Sequence, residues 1–216
     1  QADAYGQAIK GALDKAMQAN GYTIDLLAPY ERASGDVSAA VQTILSAKPS
    51  IVFMAGTTDP PAKFVRAIRE AGLNCQFATV SFPGTAPLAQ AVKPYGDGVV
   101  VSQVVPMPND KSLQINRELH AAIEAHARGT VPDFSLLEGY LTGRVLCEML
   151  ERCGPEPTRE SFLDTIFSTP TTLDFGGMRL SYGPRRNAGT SKVFLTEIGA
   201  DGGFAPLTGS ELRRAS

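Results

Sequence analysis

Ile51-Val52-Phe53-Met54-Ala55-Gly56-Thr57-Thr58-Asp59-Pro60-Pro61 decides how this chain folds. An unbroken apolar run that opens on two β-branched residues and stops at Gly56 suits a short strand covered on both faces. Thr57 and Thr58 then turn the chain, Asp59 offers a side-chain cap, and Pro60 fits the first helical position, where a missing N–H goes unnoticed. Phe64, Val65, Ile68 and Ala71 follow at helical spacing until Gly72 stops the helix. One strand running into one capped helix is the unit of a parallel sheet with crossover helices.

The same unit recurs on both sides. Upstream, residues 23–45 read as a strand at 23–30 followed by a helix capped by Asp36 with Val37, Ala40, Val41, Ile44 and Leu45 on its apolar stripe. Downstream, residues 76–93 open on a strand at 76–80 with a loop at 81–85, and residues 98–128 open on the run Val99-Val100-Val101-Ser102-Gln103-Val104-Val105. Ligands of such sheets sit at the carboxyl ends of the strands, so the loops after residues 55 and 80 are where function is sought. A helix at 4–20 precedes all of this with no strand before it. Crossover units start on a strand, so residues upstream are expected to be absent from this chain.

Beyond Pro106-Met107-Pro108 the pattern changes. Three helices follow without a strand between them, at 111–128, 135–152 and 158–168; the second carries a capping box of Ser135 with Glu138, and Gly154 lies just past its end. Strands are expected at 176–182 and 192–198, joined by the polar stretch 183–191, with Asp201-Gly202-Gly203 as a turn. The residues therefore read as α/β, then α, then β.

The bulk chemistry narrows the function. Twenty basic and 22 acidic side chains are dispersed along 216 residues, which leaves no footprint for nucleic acid and no polybasic arm for anionic lipid. No apolar run approaches the roughly 20 residues of a membrane span. Cys75, Cys147 and Cys153 lack zinc spacing, and a Cys147–Cys153 bridge is disfavoured while one helix holds both, since positions six apart face different ways. His120 and His126 sit on one charged helix and read as surface residues. Neither a nucleophile elbow, a phosphate-cradling loop nor a metal-ligand cluster is present, so no catalytic residue and no cofactor is expected.

Several stretches together resemble a family. They are Asp3-Ala4-Tyr5-Gly6, Ile51 to Gly56 before Phe64-Val65-Arg66, Arg69-Glu70-Ala71-Gly72-Leu73, Gly98 to Pro106, and Leu137-Glu138-Gly139-Tyr140. In order and spacing these resemble the periplasmic solute-binding proteins of branched-chain amino acid ABC importers, the type I periplasmic-binding-protein fold, over about residues 4–207. The resemblance implies an α/β chain: a parallel-sheet three-layer lobe plus an incomplete helical portion of a second lobe. It assigns 1–105 and 169–208 to the second, C-terminal lobe of such proteins, 106–168 to the helical part of the first, and 209–216 to a tail. It further implies hinge closure of two lobes over a small molecule. The family's opening block, whose Ser/Thr and backbone donors grip a ligand carboxylate, has no counterpart in this sequence.

Candidate binding residues come from both readings. Tyr5 matches the tyrosine that enters the family's cleft; an aromatic hydroxyl at a helix start gives an apolar wall with one hydrogen bond, or simply caps the helix. Thr57 and Thr58 lie beyond a strand end beside a helix N-terminus, where hydroxyls and amide donors hold an anion, or merely form a turn. By resemblance Ser81 occupies the place of an acidic residue that pairs the ligand ammonium. Ser81 carries no charge, which brings aromatic acids, amides and other small carboxylates level with α-amino acids. Phe82 offers an apolar contact or core packing, and Phe134 matches a region that lines the cleft in relatives.

The leading expectation is thus an extracytoplasmic, periplasmic solute-binding protein that hands an amino acid-like or carboxylate ligand to an ABC permease. The alternative is the ligand-sensing domain of a receptor or regulator with the same fold. An enzyme is the weakest reading. The stripes Leu119, Ala122, Ile123 and Leu137, Leu141, Val145 are expected to need cover from a sheet, a second chain or self-association, because each large apolar side chain left in water forfeits about 1.5–3 kcal/mol.

Overall fold

The strand-to-helix rhythm is present over residues 51–126. The computed structural model of the chain describes residues 1–168 and 170–207; the expected tail at 209–216 lies outside them, as do residues 169 and 208 at the edges of the expected second-lobe segment. In chain order the elements are α1 (Ala4–Ala19), α2 (Ser38–Ala47), β1 (Ile51–Met54), α3 (Asp59–Glu70), β2 (Gln76–Val80), α4 (Thr85–Ala91), β3 (Val99–Gln103), α5 (Gln114–His126), α6 (Phe134–Cys153), α7 (Arg159–Phe167), β4 (Thr171–Asp174), β5 (Arg179–Tyr182), β6 (Phe194–Ile198) and β7 (Phe204–Pro206). The chain divides into two compact units, Gln1–Ser102 with the chain from Leu195 onward, and Gln103–Phe194.

The first unit is built on a sheet of strand order β1-β2-β3-β6-β7. β1 to β3 run parallel, with Val52 opposite Phe77 and Thr79 opposite Val101, and β6 pairs antiparallel with β7. Val65 and Ile68 of α3, Phe77 of β2, Leu88 of α4, Val99 of β3 and Ile198 of β6 are fully buried in one core. The Phe64 and Phe77 rings meet edge to face with centroids 6.1 Å apart. These are the positions that the 3.6 and 2 periodicities single out.

The second unit is helical, closed by one hairpin. β4 and β5 pair antiparallel through the turn Phe175-Gly176-Gly177-Met178, in which Phe175 N–H donates to Met178 O at 3.0 Å and both glycines take positive φ. The Gly176 carbonyl accepts from Gln114 N–H at 2.8 Å, so the hairpin turn does for the start of α5 what no side chain does there. Leu119, Leu137, Leu141, Met149, Leu173, Phe175, Met178 and Leu180 are buried. Much of the apolar stripe on α5 and α6 is therefore covered within the unit, by a hairpin whose first strand the sequence did not announce.

The structure corrects several expectations. Residues 23–30 form no ladder, and β1 ends the sheet. Ile51 is 66% exposed and Phe53 38%, so β1 is an edge strand and not one covered on both faces. The helix after residue 58 starts at Asp59 with Thr58 as its cap residue, and Pro60 falls at the second helical position. Asp36 caps Ser38 N–H at 2.9 Å from one residue outside the cap position. α6 is capped by Asp133, which accepts from Leu136 N–H at 2.8 Å, in place of the Ser135 box; a carboxylate is a better acceptor than a hydroxyl for a helix amide. The capping box is found on α7, between Thr158 and Ser161. The segment at 176–182 is a turn and a strand, and its partner is β4 and not the strand at 192–198, because the positive-φ glycine pair reverses the chain there.

Candidate functional site

Parallel strands all deliver their loops to the same edge of a sheet, and in the first unit those loops are tied together. Thr79 Oγ1 donates to the Met54 carbonyl at 3.0 Å, locking the ends of β1 and β2. Thr58 Oγ1 donates to Pro83 O at 2.6 Å, which joins the loop after β1 to the loop after β2. The Gln1 nitrogen donates to Ala55 O at 3.0 Å, so the segment entering α1 joins the same rim. A Cβ on Gly56 would collide with the Tyr30 hydroxyl and crowd the Pro61 ring, so glycine is required for this approach.

On that rim the Tyr5 and Phe82 rings lie 4.8 Å apart at a 38° tilt. Phe82 is 62% exposed, far from the core role open to it from sequence. Tyr5 is half-buried, and its hydroxyl is buried without a hydrogen-bond partner in the chain. Burial, reinforced by the Asp3 carboxylate, pushes the phenol pKa above its ordinary range, so it stays a donor at any physiological pH. Asp3 itself is held below the usual carboxylate range, first by the Gly6 N–H it accepts at 2.9 Å, with Gln1 and Arg32 adding to the effect.

Five of the six sequence candidates thus share the first unit. Tyr5 and Phe82 touch, Thr57 and Ser81 are half-buried in the two joined loops, and Thr58 commits its hydroxyl hydrogen to Pro83, which leaves its oxygen to accept. The N-terminus of α3 has no side-chain cap, but Pro60 and Pro61 carry no N–H and Ala62 N–H donates to Thr58 O at 3.2 Å, so of its first amides Asp59 alone offers a donor, beside its own carboxylate. Phe134 is buried at the first position of α6 in the second unit. Sequence reasoning missed Gln1, Asp3 and Tyr30: Tyr30 donates its hydroxyl to Gln1 Oε1 at 3.3 Å across 29 positions, a tie without a local signature.

The second unit has its own concavity, a groove of about 270 Å³ whose lining includes Val105, Leu141, Val145, Met178, Leu180 and Glu138. Burial, then the nearby Asp133, pushes the Glu138 carboxyl above its usual range. Apolar walls share this groove with the Glu138 carboxyl and with Thr142, Tyr182 and Thr190, which carry hydroxyls. Among the described residues no group of three His, Cys, Asp or Glu is placed to hold a metal, and the three cysteines are free. No helix of the described residues is long and apolar enough to cross a membrane.

The rim can therefore do one kind of chemistry: an aromatic wall, an unspent phenol donor and loop hydroxyls are suited to hold a small organic molecule. Residues 1–203 match the family model described as periplasmic binding protein. No curated protein matches the chain. Among solved structures, a possible leucine/isoleucine/valine-binding protein from Rhodopirellula baltica is similar at 29% identity and TM-score 0.85, over 98% of this chain and 58% of that one. A substrate-binding periplasmic protein from Ralstonia solanacearum is similar at 26% identity and TM-score 0.80, over 96% and 59% respectively. A branched-chain amino acid ABC transporter protein from Thermus thermophilus with bound valine shares the fold at 15% identity and TM-score 0.80, over 96% of this chain and 58% of that one. The chain thus spans under two thirds of the length of these relatives.

Proposed function

This chain belongs to the periplasmic binding protein family, and from that membership we propose that it is the solute-binding part of an ABC importer, working outside the cytoplasm. Its task in this reading is to hold a small ligand and present it to a membrane permease, with no bond made or broken. The observation that carries the reading is the Tyr5–Phe82 pair, an exposed ring beside a buried hydroxyl with no partner, on the rim where three loops are tied. A buried phenol without a partner is costly, and a ligand acceptor relieves it.

The proposed ligand is a small carboxylate, amide or amino acid with an apolar body. Its apolar part lies against Phe82 and Tyr5, and its polar end meets the Tyr5 phenol and the hydroxyls of Thr57 and Ser81. Ser81 cannot pair an ammonium as a carboxylate would, so aromatic acids and amides stand beside α-amino acids as candidates.

Thermal denaturation of the protein with branched-chain amino acids, aromatic acids and amides tests this. A ligand of this class present at a hundred times its Kd adds about 2.7 kcal/mol of stability. Replacing Phe82 by Ala lowers that gain through weaker binding, by about 0.5–1.5 kcal/mol beyond the lost contact area. A panel that leaves the melting curve unmoved throughout overturns the proposal.

A further inference from the structure

Tyr5 owes its place on the rim to the start of α1, and that start is held by a chain of side-chain bonds that leads to Tyr30. Gly6 N–H donates to Asp3 Oδ1 at 2.9 Å, which fixes the first turn around Tyr5. The other oxygen, Asp3 Oδ2, accepts from Gln1 Nε2 at 2.5 Å, and Gln1 Oε1 accepts from the Tyr30 hydroxyl at 3.3 Å. The Gln1 amide thus spends a donor on Asp3 and its acceptor on Tyr30. Two glycines make room for this relay. A Cβ on Gly6 would collide with the Gln1 carbonyl oxygen, and a Cβ on Gly56 would collide with the Tyr30 hydroxyl.

The Tyr30 phenol is therefore seated in a notch at Gly56, the residue before Thr57 in the loop after β1. Its ring is half-buried and packs against the core of the first unit. Its backbone is held separately, since Ala2 N–H donates to Tyr30 O at 2.8 Å. Burial, then the nearby Asp3 and Tyr5, pushes the Tyr30 phenol above its ordinary range, so the hydroxyl keeps its proton and remains a donor. Ring and backbone anchor the residue, and the hydroxyl carries that anchorage across to Gln1, Asp3 and the start of α1.

We propose, building on the reading of the rim as a ligand site, that Tyr30 is a positioning residue: its hydroxyl, seated on Gly56, holds the Gln1 and Asp3 relay and so keeps the Tyr5 ring against Phe82, where its phenol meets the ligand. Tyr30 acts through Tyr5 and not by touching the ligand. A ring already in place spares an arriving molecule the cost of ordering it, so the relay acts on affinity through pre-organisation.

Tyr30→Phe tests this, because it removes the hydroxyl and keeps both the ring and the backbone bond. In the ligand-free chain the nuclear Overhauser contact between the Tyr5 and Phe82 rings is expected to fall to less than half, with little change in melting temperature. Gly56→Ala pushes the hydroxyl off its seat and is expected to weaken the same contact. Adding Tyr30→Phe to Gly56→Ala is expected to weaken it no further, because the methyl then fills the space that the hydroxyl has left. Tyr22→Phe, on an exposed ring, is expected to leave the contact alone. Calorimetric titration with L-leucine and with benzoate supplies the second measurement: whichever binds the unaltered chain is expected to bind Tyr30→Phe about fivefold more weakly, the size of one neutral hydrogen bond. If neither binds the unaltered chain, the ligand reading falls and the ring contact alone decides the role of Tyr30. A Tyr5–Phe82 contact unchanged in Tyr30→Phe overturns the proposal, whatever the melting temperature does. So do losses that add in the double variant, and a lost contact that leaves affinity intact.

Discussion

The two units solve the problem of burying apolar surface in different ways, and the first gathers its strand-end loops on one rim. In the first, β1, β2 and β3 lie parallel, so the core forms between strands and helices while every strand deposits a loop at the same edge. In the second, three helices are closed by the β4–β5 hairpin, and its concavity is a groove where apolar side chains are joined by Glu138, Thr142, Tyr182 and Thr190. Topology decides where loops converge: parallel strands bring the hydroxyls of successive loops to one edge without placing them in the core.

The largest effect that sharpens this contrast is expected from Phe77→Ala. Phe77 is fully buried at the centre of the first core and sits edge-on to Phe64, so its loss costs about 3–5 kcal/mol. Hydrogen exchange is expected to quicken across the first unit and to change little at Leu137 and Met149; equal loss in both would erase the division. Asp133→Ala removes the cap of α6 and is expected to cost about 1 kcal/mol, read as faster exchange in the first turn of that helix. No change there would mean that the cap carries none of the helix's stability.

Acid separates the units by sign. The Glu138 carboxyl is raised by burial, so its contribution to the folded state is fully present below its unfolded pKa and is lost as pH rises through the folded one. Glu138→Gln is expected to stabilise the second unit above the carboxylate range and to do nothing below it. Asp3 is lowered, chiefly by Gly6 N–H, so its contribution is present above the unfolded pKa and lost as pH falls through the folded one. Melts between pH 3 and pH 7, read by exchange in α1 and α6, check that the two respond in opposite directions. The smallest effect is expected from Lys10→Ala, which breaks an i,i+4 pair with Asp14 on α1 and costs about 0.3–0.5 kcal/mol.

What the sequence disclosed follows the same division. Helix α3, β2 and β3 were legible because each carries a local signal: apolar spacing with a glycine stop at Gly72 for α3, and β-branched runs bounded by turn residues or proline for the strands. The segment at 23–30 has strand propensity but finds no ladder, and propensity without a neighbour does not make a strand. β4 escaped because Thr171-Thr172-Leu173-Asp174 is too short to show a period, and the glycine pair that follows it was read as the start of a strand and not as its turn. Of the site, the residue types on the rim were legible. The ties that assemble it were not, since Gln1 to Ala55 spans 54 positions and Thr58 to Pro83 spans 25.

The central claim is that ligand recognition belongs to the rim of the first unit and not to the groove of the second. Chemical-shift mapping with millimolar branched-chain amino acids, aromatic acids and amides tests it most directly. The account predicts perturbations clustered at Tyr5, Thr57, Thr58, Ser81 and Phe82, with Phe82→Ala weakening them. Perturbations centred on Glu138, Leu141 and Tyr182 would contradict it.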